Sequence, residues 1–377
     1  MLVMTSPRPF DMVVVGAGVV GLGHAVHAAA RGARVAVVER GPRALGASVR
    51  NFGHGCVTAQ AGVALNFAMA ARQHWLRLAD EAGFWLRDTG TVVVARAEDE
   101  YTVLEDFHAE RGEDVVLLDA AAVRDRVPGV EAVVGGAWLP LDLRVDAREA
   151  VASIAAWLAG RGVEFRWSTS VLGVEGDVVR TSRGDLRAAK VVVAIGHDVD
   201  RLYPDVAAGH SVLRCSLHML ELDDPMRAVV DPAVLTGWSL MRYDGFAVSP
   251  ALDRVRERLR TADPASVEAG LNLMFTQRPT GEIVFGDTHD YADAVPPFRS
   301  EDRDDLLLRH ARQIFGAQTL RIRARWRGVY AAAPRPFLVA APNHTPNPDV
   351  RIVSVTSGIG MTTGFGLAEH VVDDLLT

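Results

Sequence analysis

The sequence predicts an α/β protein: a parallel sheet flanked by helices, joined to a second, α+β unit built on an antiparallel sheet. Three observations predict it. The apolar run Met12-Val13-Val14-Val15 passes through Gly16-Ala17-Gly18-Val19-Val20-Gly21 into an Ala-rich helical segment, Leu22 to Arg31. Buried apolar strands of the same kind recur at Val191 and again at Val350. Longer, partly alternating runs at 211–222 and 271–286 have instead the two-residue period of antiparallel strands.

Each part of the first unit has a physical job. Gly16 allows a tight turn, Gly18 lets backbone N–H groups approach a pyrophosphate, and Gly21 lets helix and strand pack closely. The helix N-terminus adds partial positive charge. The second strand, Arg34 to Val38, ends on Glu39, placed like the acid that bonds a ribose hydroxyl. Strand, turn, helix and acid together read as a Rossmann-like dinucleotide unit. The segment from Gly46 to Gly55 follows, small and rich in hydrogen-bonding residues. Two readings stand: Ser48 on phosphate with Arg50 and Asn51 facing the middle of a dinucleotide, or a plain glycine loop with a solvated arginine.

Further along, the periodicity predicts helices over Gly62 to Ala82 and Glu98 to Glu110, and short strands at Thr91 to Ala95 and Val133 to Leu139. Asp146 caps a helix through Leu158, with Glu149 completing a capping box. Strands follow at Val163 to Trp167, Val171 to Val174, Val178 to Thr181 and Leu186 to Ala194. The last ends at Gly196, either beside the dinucleotide or simply in the core. Leu271 to Gln277 and Ile283 to Phe285 form a hairpin around Gly281, and Asp302 to Phe315 is a helix. Arg323 to Tyr330, Pro336 to Ala340 and Val350 to Ser354 are the last strands. A second glycine-rich turn, Ser357 to Gly364, opens the C-terminal helix Phe365 to Leu376 and aims further N–H groups at an electron-rich partner.

Composition bounds the function. With 377 residues, 49% of them hydrophobic, the chain can bury a large core in two closely packed domains. A net charge of −7 and the lack of a long basic run argue against a nucleic-acid partner. Cys56 and Cys215 are too few for a disulfide framework or a zinc site, so a reduced, cytoplasmic setting and no metal are expected. Met1 to Pro9 lacks the apolar core of a signal peptide, and no run approaches the roughly 20 apolar residues of a membrane span.

Gly16 to Gly21, Glu39, the strand Val191 to Gly196 and the turn Gly358 to Gly364 together resemble the FAD-dependent D-amino acid oxidase, glycine oxidase and sarcosine oxidase superfamily, along nearly the whole chain. The resemblance implies a discontinuous FAD-binding domain, residues 1–80, 141–205 and 323–377. An inserted substrate-binding domain would take 81–140 and 206–322. It also places Gly360, Met361 and Thr362 at the N1–C2=O edge of the flavin ring. The implied cofactor set is Gly16, Gly18, Val19, Gly21, Glu39, Arg40, Ser48, Arg50, Asn51, Val171, Gly196, Gly358, Gly360, Met361 and Thr362.

Within that superfamily, Ser48-Val49-Arg50-Asn51-Phe52-Gly53, Gln277-Arg278-Pro279, Gly286-Asp287-Thr288-His289 and Trp326-Arg327-Gly328-Val329-Tyr330 resemble a bacterial branch associated with phosphonate breakdown. This implies oxidation of an aminophosphonate to an aldehyde plus amine, with O2 or another electron acceptor. The alternative is a D-amino acid, sarcosine or another N-alkyl amino acid. Glycine oxidase-like members carry a carboxylate-binding arginine where this chain has Tyr330, which argues against that alternative. Sarcosine oxidase-like members bond the flavin through a cysteine near Gly328, so FAD is expected to be non-covalent here. A flavin-binding scaffold or tRNA-modifying protein is a third reading, disfavoured by the negative charge.

An anionic substrate needs cations or clustered donors. The residues expected at the reacting centre are Tyr330, His289, Arg242, Tyr243, Gln277 and His54, with Tyr291 alternating beside His289. Arg321, Arg323, Arg325 and Arg327 share one strand face, either as a phosphonate site or as a solvated edge.

Overall fold

The computed structural model describes residues 9–342 and 349–377. Segment 1–8, which contains most of the N-terminal stretch considered above for a signal peptide, lies outside the described residues. The strand Phe10–Val15 is central to a parallel arrangement, pairing with Val35–Val38 on one side and Leu186–Val193 on the other. Glu164–Arg166 extends it beyond Val35–Val38, and Val350–Ser357 beyond Leu186–Val193. Continuous Val runs suit strands covered on both faces. One face packs on the helices Val19–Ala30, Gly62–Ala82, Ala147–Gly160 and Gly360–Leu376. The other carries Val179, Val199 and Val206.

The remaining strands are mostly antiparallel. Leu213–Leu222 lies between Ile283–Ala292 and Ile322–Ala340, and Met274–Gln277 pairs with Ile283–Ala292 across the hairpin expected at Gly281. Ala233–Thr236 extends this sheet and pairs parallel with Thr91–Ala95, beyond which come Gly135–Leu139 and Val116–Asp119. Their core gathers Phe107, Phe246, Phe275, Phe285 and Phe315.

The two expected strands Arg323 to Tyr330 and Pro336 to Ala340 are one strand, Ile322–Ala340, of 19 residues. Its first part pairs with Leu213–Leu222 and its last part with Val350–Ser357. Among the described residues the parallel and antiparallel parts therefore form one 15-stranded sheet. From Ile322 to Ala332 the described pairing is with Leu213–Leu222 on one edge only, and Arg321, Arg323 and Arg325 are exposed there, as in the solvated-edge reading. Arg321 and Arg323 pair with Asp223, Arg325 pairs with Asp304, and Arg327 donates to the carbonyls of Pro296 and Phe298.

The helix Gly62–Ala82 has its expected limits, ending at Gly83 with φ +69°. Asp146 caps Ala147–Gly160 by accepting from the Arg148 N–H at 3.0 Å, one residue short of the position a capping box uses. The C-terminal helix starts at Gly360, five residues before the apolar pattern suggested, because Gly360 to Gly364 fits helical backbone. Among the described residues no helix is long and apolar enough to cross a membrane.

Trp75 couples the helix Gly62–Ala82 to the C-terminal helix. Its ring meets Phe365 edge-on at 4.9 Å, and its Nε1–H donates to the Met361 carbonyl at 2.7 Å. Trp75→Phe keeps one aromatic ring but loses the pyrrole half and its N–H, and should cost about 1–3 kcal/mol. Trp75→Ala should cost about 3–5 kcal/mol, since the ring is fully buried. Denaturant unfolding of both variants measures the difference.

Candidate active site

A cavity of about 840 Å³ runs from the glycine turn after Phe10–Val15 to the face of the antiparallel sheet. The turn is built on close approaches that only glycine permits. Gly16 has φ +103°, and a Cβ there would lie 2.4 Å from the Ala194 carbonyl oxygen. A Cβ on Gly21 would lie 1.9 Å from the Gly16 oxygen, so Gly21 supports the turn by packing and does not line the cavity. Gly18 borders the cavity, where Ser48 Oγ accepts from the Val19 N–H at 2.9 Å. The Glu39 carboxylate accepts from the N–H groups of Ala17 at 3.0 Å and Gly41 at 2.8 Å, which ties both turns together. Arg40, Val171 and Gly196 line the same end. Arg40 is paired with the buried Asp198 at 2.6 Å.

The Gly46 to Gly55 segment closes the middle of the cavity. Asn51 holds its own turn, accepting from the Gly53 N–H and donating to the Ala47 carbonyl. Arg50 is docked on the long strand: its guanidinium donates to the Arg327 carbonyl, and its own carbonyl accepts from Trp326. Gly328 lies under this loop, where a Cβ would be 3.3 Å from the Arg50 oxygen. At the second glycine turn, Gly358 has φ +78° and lies over the Tyr330 ring, 3.0 Å from where its Cβ would be. Gly360, Met361 and Thr362 line the cavity at the start of the C-terminal helix, and Thr362 Oγ1 accepts from the Cys56 N–H.

The cavity's far end is walled by Leu217, Arg242, Tyr243, Asp287, His289 and Tyr330. Arg242 donates to the Tyr291 hydroxyl at 3.3 Å and forms no ion pair among the described residues. Burial pulls its pKa down, but Tyr291, Tyr330 and Asp287 more than offset this, so it stays cationic. Burial, then the neighbouring Cys215 and Tyr291, raise the Tyr330 phenol far above its usual range. Tyr243 is likewise raised, first by burial. Of the alternating pair, His289 is buried and Tyr291 is half exposed, reaching the site through Arg242.

Two residues differ from expectation. Gln277 lies outside this cavity: its amide takes the Val230 N–H and donates to the Ala228 and Gly281 carbonyls, bracing the hairpin. From this segment Asn272 and Met274 line the cavity, while Gln277, at the end of the strand, falls on its other face. His54 does border the cavity, but its Nε2 is held by Thr91 Oγ1 at 2.7 Å with Asp142 at 3.4 Å. Cys56 and Asp142 group with His54 in a buried cluster, in which the Asp142 carboxylate also takes the Val57 and Thr58 N–H groups. Both cysteines are free and buried. Burial, with Asp142 adding to it, raises the Cys56 thiol well above its usual range, and Cys215 is pushed up to about 12, chiefly by burial.

Asp287 and Asn272 were missed by the sequence reading. Asp287 is 4% exposed, and its backbone exchanges two hydrogen bonds with Asn272, which also donates Nδ2 to Oδ1 at 3.2 Å. The signal that bears on it was the Gly286-Asp287 step directly after the apolar run Ile283 to Phe285, a place where a bulge is favoured.

The residues present fit a dinucleotide: a glycine turn aimed by a helix N-terminus, an acid at the next strand end, and a second helix start facing the first across one cavity. Gly18→Val would push a branched side chain toward Ser48 Oγ, only 3.0 Å from the Cβ position. It should weaken dinucleotide retention at least roughly tenfold, about 1.4 kcal/mol. Absorbance of the cofactor after gel filtration measures it.

Comparison with known proteins agrees with this geometry. The family model described as DAO, FAD dependent oxidoreductase, matches residues 11–374. Glycine oxidase from Geobacillus kaustophilus is 28% identical over 223 residues, 54% of this chain and 59% of that protein. The bifunctional protein ThiO/ThiG of Nostoc sp. is 28% identical over 215 residues, 52% of this chain and 32% of the relative. The chain thus spans less than two thirds of the length of either relative. Among solved structures, L-proline dehydrogenase from P. horikoshii superposes with a TM-score of 0.79 at 20% identity, covering 99% of this chain and 94% of that one. The glycine turn, the acid after the second strand and the match along nearly the whole chain lead to one statement: this protein belongs to the DAO family of FAD-dependent oxidoreductases.

Proposed function

We propose that the chain oxidises the C–N bond of a small aminophosphonate, like 2-aminoethylphosphonate and including N-methylated or hydroxylated forms. With O2 as acceptor, amine, O2 and water give aldehyde, released amine and H2O2. The observation that carries this reading is Arg242, a cavity-lining guanidinium without an ion-pair partner among the described residues. A half-buried cation with no carboxylate in direct contact among the described residues favours an anionic ligand. The phenols of Tyr243, Tyr291 and Tyr330 near it supply further donors to a group with three oxygens.

FAD, when bound, accepts the hydride equivalent from the carbon that bears nitrogen. The start of Val19–Ala30 with Ser48 would hold its pyrophosphate, Glu39 a ribose hydroxyl, and the start of Gly360–Leu376 the flavin's electron-rich edge. With Gly328 supplying no nucleophile, retention is non-covalent. The chain's own part is to orient the substrate. Arg242 fixes the anion, and Tyr330, packed under Gly358, sets how near the substrate comes to the second glycine turn. Water is kept from that end by Leu217, Met274 and the loop that carries Arg50.

Anaerobic bleaching of the bound flavin by 2-aminoethylphosphonate, its N-methyl and 1-hydroxy relatives, glycine, sarcosine and D-amino acids tests the reading. Aminophosphonates should bleach it and the carboxylates should not; the opposite result overturns the substrate class. Arg242→Gln should weaken binding of the active amine by about 2 kcal/mol, roughly thirtyfold, as read from the concentration dependence of bleaching.

A further inference from the structure

We propose that Asp287 receives the substrate's ammonium group and takes its proton, with His289 as the second acceptor beside it. The inference rests only on the amine-oxidising part of the reading above, not on the phosphonate. It begins from the sheet. Where Leu213–Leu222 pairs with Ile283–Ala292, His218 faces Thr288 but Met219 faces Gly286, which leaves Asp287 as an extra residue. Bulges of this kind re-aim a side chain. Asp287 lines the cavity beside Asn272, whose Nδ2 donates to Oδ1.

Oδ2 lies 3.9 Å from His289 Nε2. His289 Nδ1 is 2.8 Å from the Gly270 carbonyl, which only accepts, so Nδ1 carries the hydrogen and Nε2 presents a lone pair. Burial first, and then Arg242, hold the imidazole well below its usual range, so it is neutral. Two acceptors therefore border the cavity with no described donor between them. An ammonium group supplies the N–H donors they lack, while the anion at the other end of the same small molecule meets Arg242.

The chemistry calls for such a group. An amine yields hydride from the adjacent carbon only after its nitrogen has a free electron pair. In the step proposed, an N–H bond of the ammonium breaks, an O–H bond forms on Oδ2, and the electron pair stays on nitrogen; no electrons leave the substrate. Burial raises the Asp287 carboxyl to about 7, with Arg242 and Asn272 acting against it, which matches a proton acceptor at neutral pH. The other groups in electrostatic reach are Arg242 and Tyr243 on the turn after Ala233–Thr236, and Cys215 on Leu213–Leu222. His218, with Asp290, Arg299 and Asp304, faces Thr288 on the opposite side of the strand.

The test compares the FAD-loaded protein with Asp287→Asn and Asp287→Glu. Ethylphosphonate, an anion without an amine, is titrated by its perturbation of the flavin spectrum. 2-Aminoethylphosphonate is followed by anaerobic bleaching from pH 5.5 to 9.5. Asp287→Asn should bind ethylphosphonate within threefold of the parent. It should need at least thirtyfold more 2-aminoethylphosphonate, and its bleaching rate should lose the step near neutral pH. Asp287→Glu should regain part of that step. If only carboxylates bleach the parent flavin, the phosphonate reading fails by itself, and sarcosine with acetate replaces the pair with the same outcome expected. Unchanged amine binding and an unchanged pH profile in Asp287→Asn overturn the proposal. So does an equal loss of the amine-free anion, which marks a structural role.

Discussion

The arrangement depends on the backbone hydrogen bonds of one strand, Ile322–Ala340. Its early residues belong to the antiparallel part through Leu213–Leu222, and its late residues to the parallel part through Val350–Ser357. No hinge is left between the two registers. Tyr330 is therefore fixed relative to Gly358, and Gly328 relative to the loop that carries Arg50. A site assembled from distant segments needs such a rigid reference, because misplacement of reacting groups by about 1 Å costs orders of magnitude in rate. Here it comes from ladder hydrogen bonds and not from loops.

The charge layout of the cavity follows the same division. Its dinucleotide end is built from backbone N–H groups, two helix starts and one carboxylate that binds two turns together. Its far end is sparsely charged, with Arg242 and Asp287 in electrostatic reach of one another and Tyr243 and Tyr330 beside them. Arg323, Arg325 and Arg327 of Ile322–Ala340 are matched to acids or carbonyls. An arginine-rich strand thus contributes no cation to the site. Arg242, which lines the far end, comes from a short turn where exposure of its neighbours gave no pattern.

The dinucleotide end was legible because its requirements are steric. Few sequences satisfy a packing in which a Cβ on Gly21 would lie 1.9 Å from the Gly16 carbonyl oxygen, and Glu39 must close the second strand to reach both Ala17 and Gly41. The apolar periodicity likewise gave Gly62–Ala82 its limits. The far end was less legible, because it depends on which way a side chain leaves a strand. Gln277 was expected inside and braces a hairpin outside. Asp287, unremarked as a site residue, enters through a bulge whose register shift lies between two strands and is invisible in either one alone. The continuity of Ile322–Ala340 was hidden by Pro334 and Pro336, which suggest a break. The register shift between Ala332 and Phe337 accommodates them where the strand changes partners.

The two thiols carry a last consequence. Cys56 borders the cavity and Cys215 packs behind Tyr330, and burial keeps both protonated. Oxidants attack the thiolate far faster than the thiol. A flavin site that releases peroxide would damage a reactive cysteine with every cycle. Burial suppresses that form at Cys56 and Cys215, so the low dielectric that shapes the cavity would also shield both sulfur atoms wherever O2 is the acceptor.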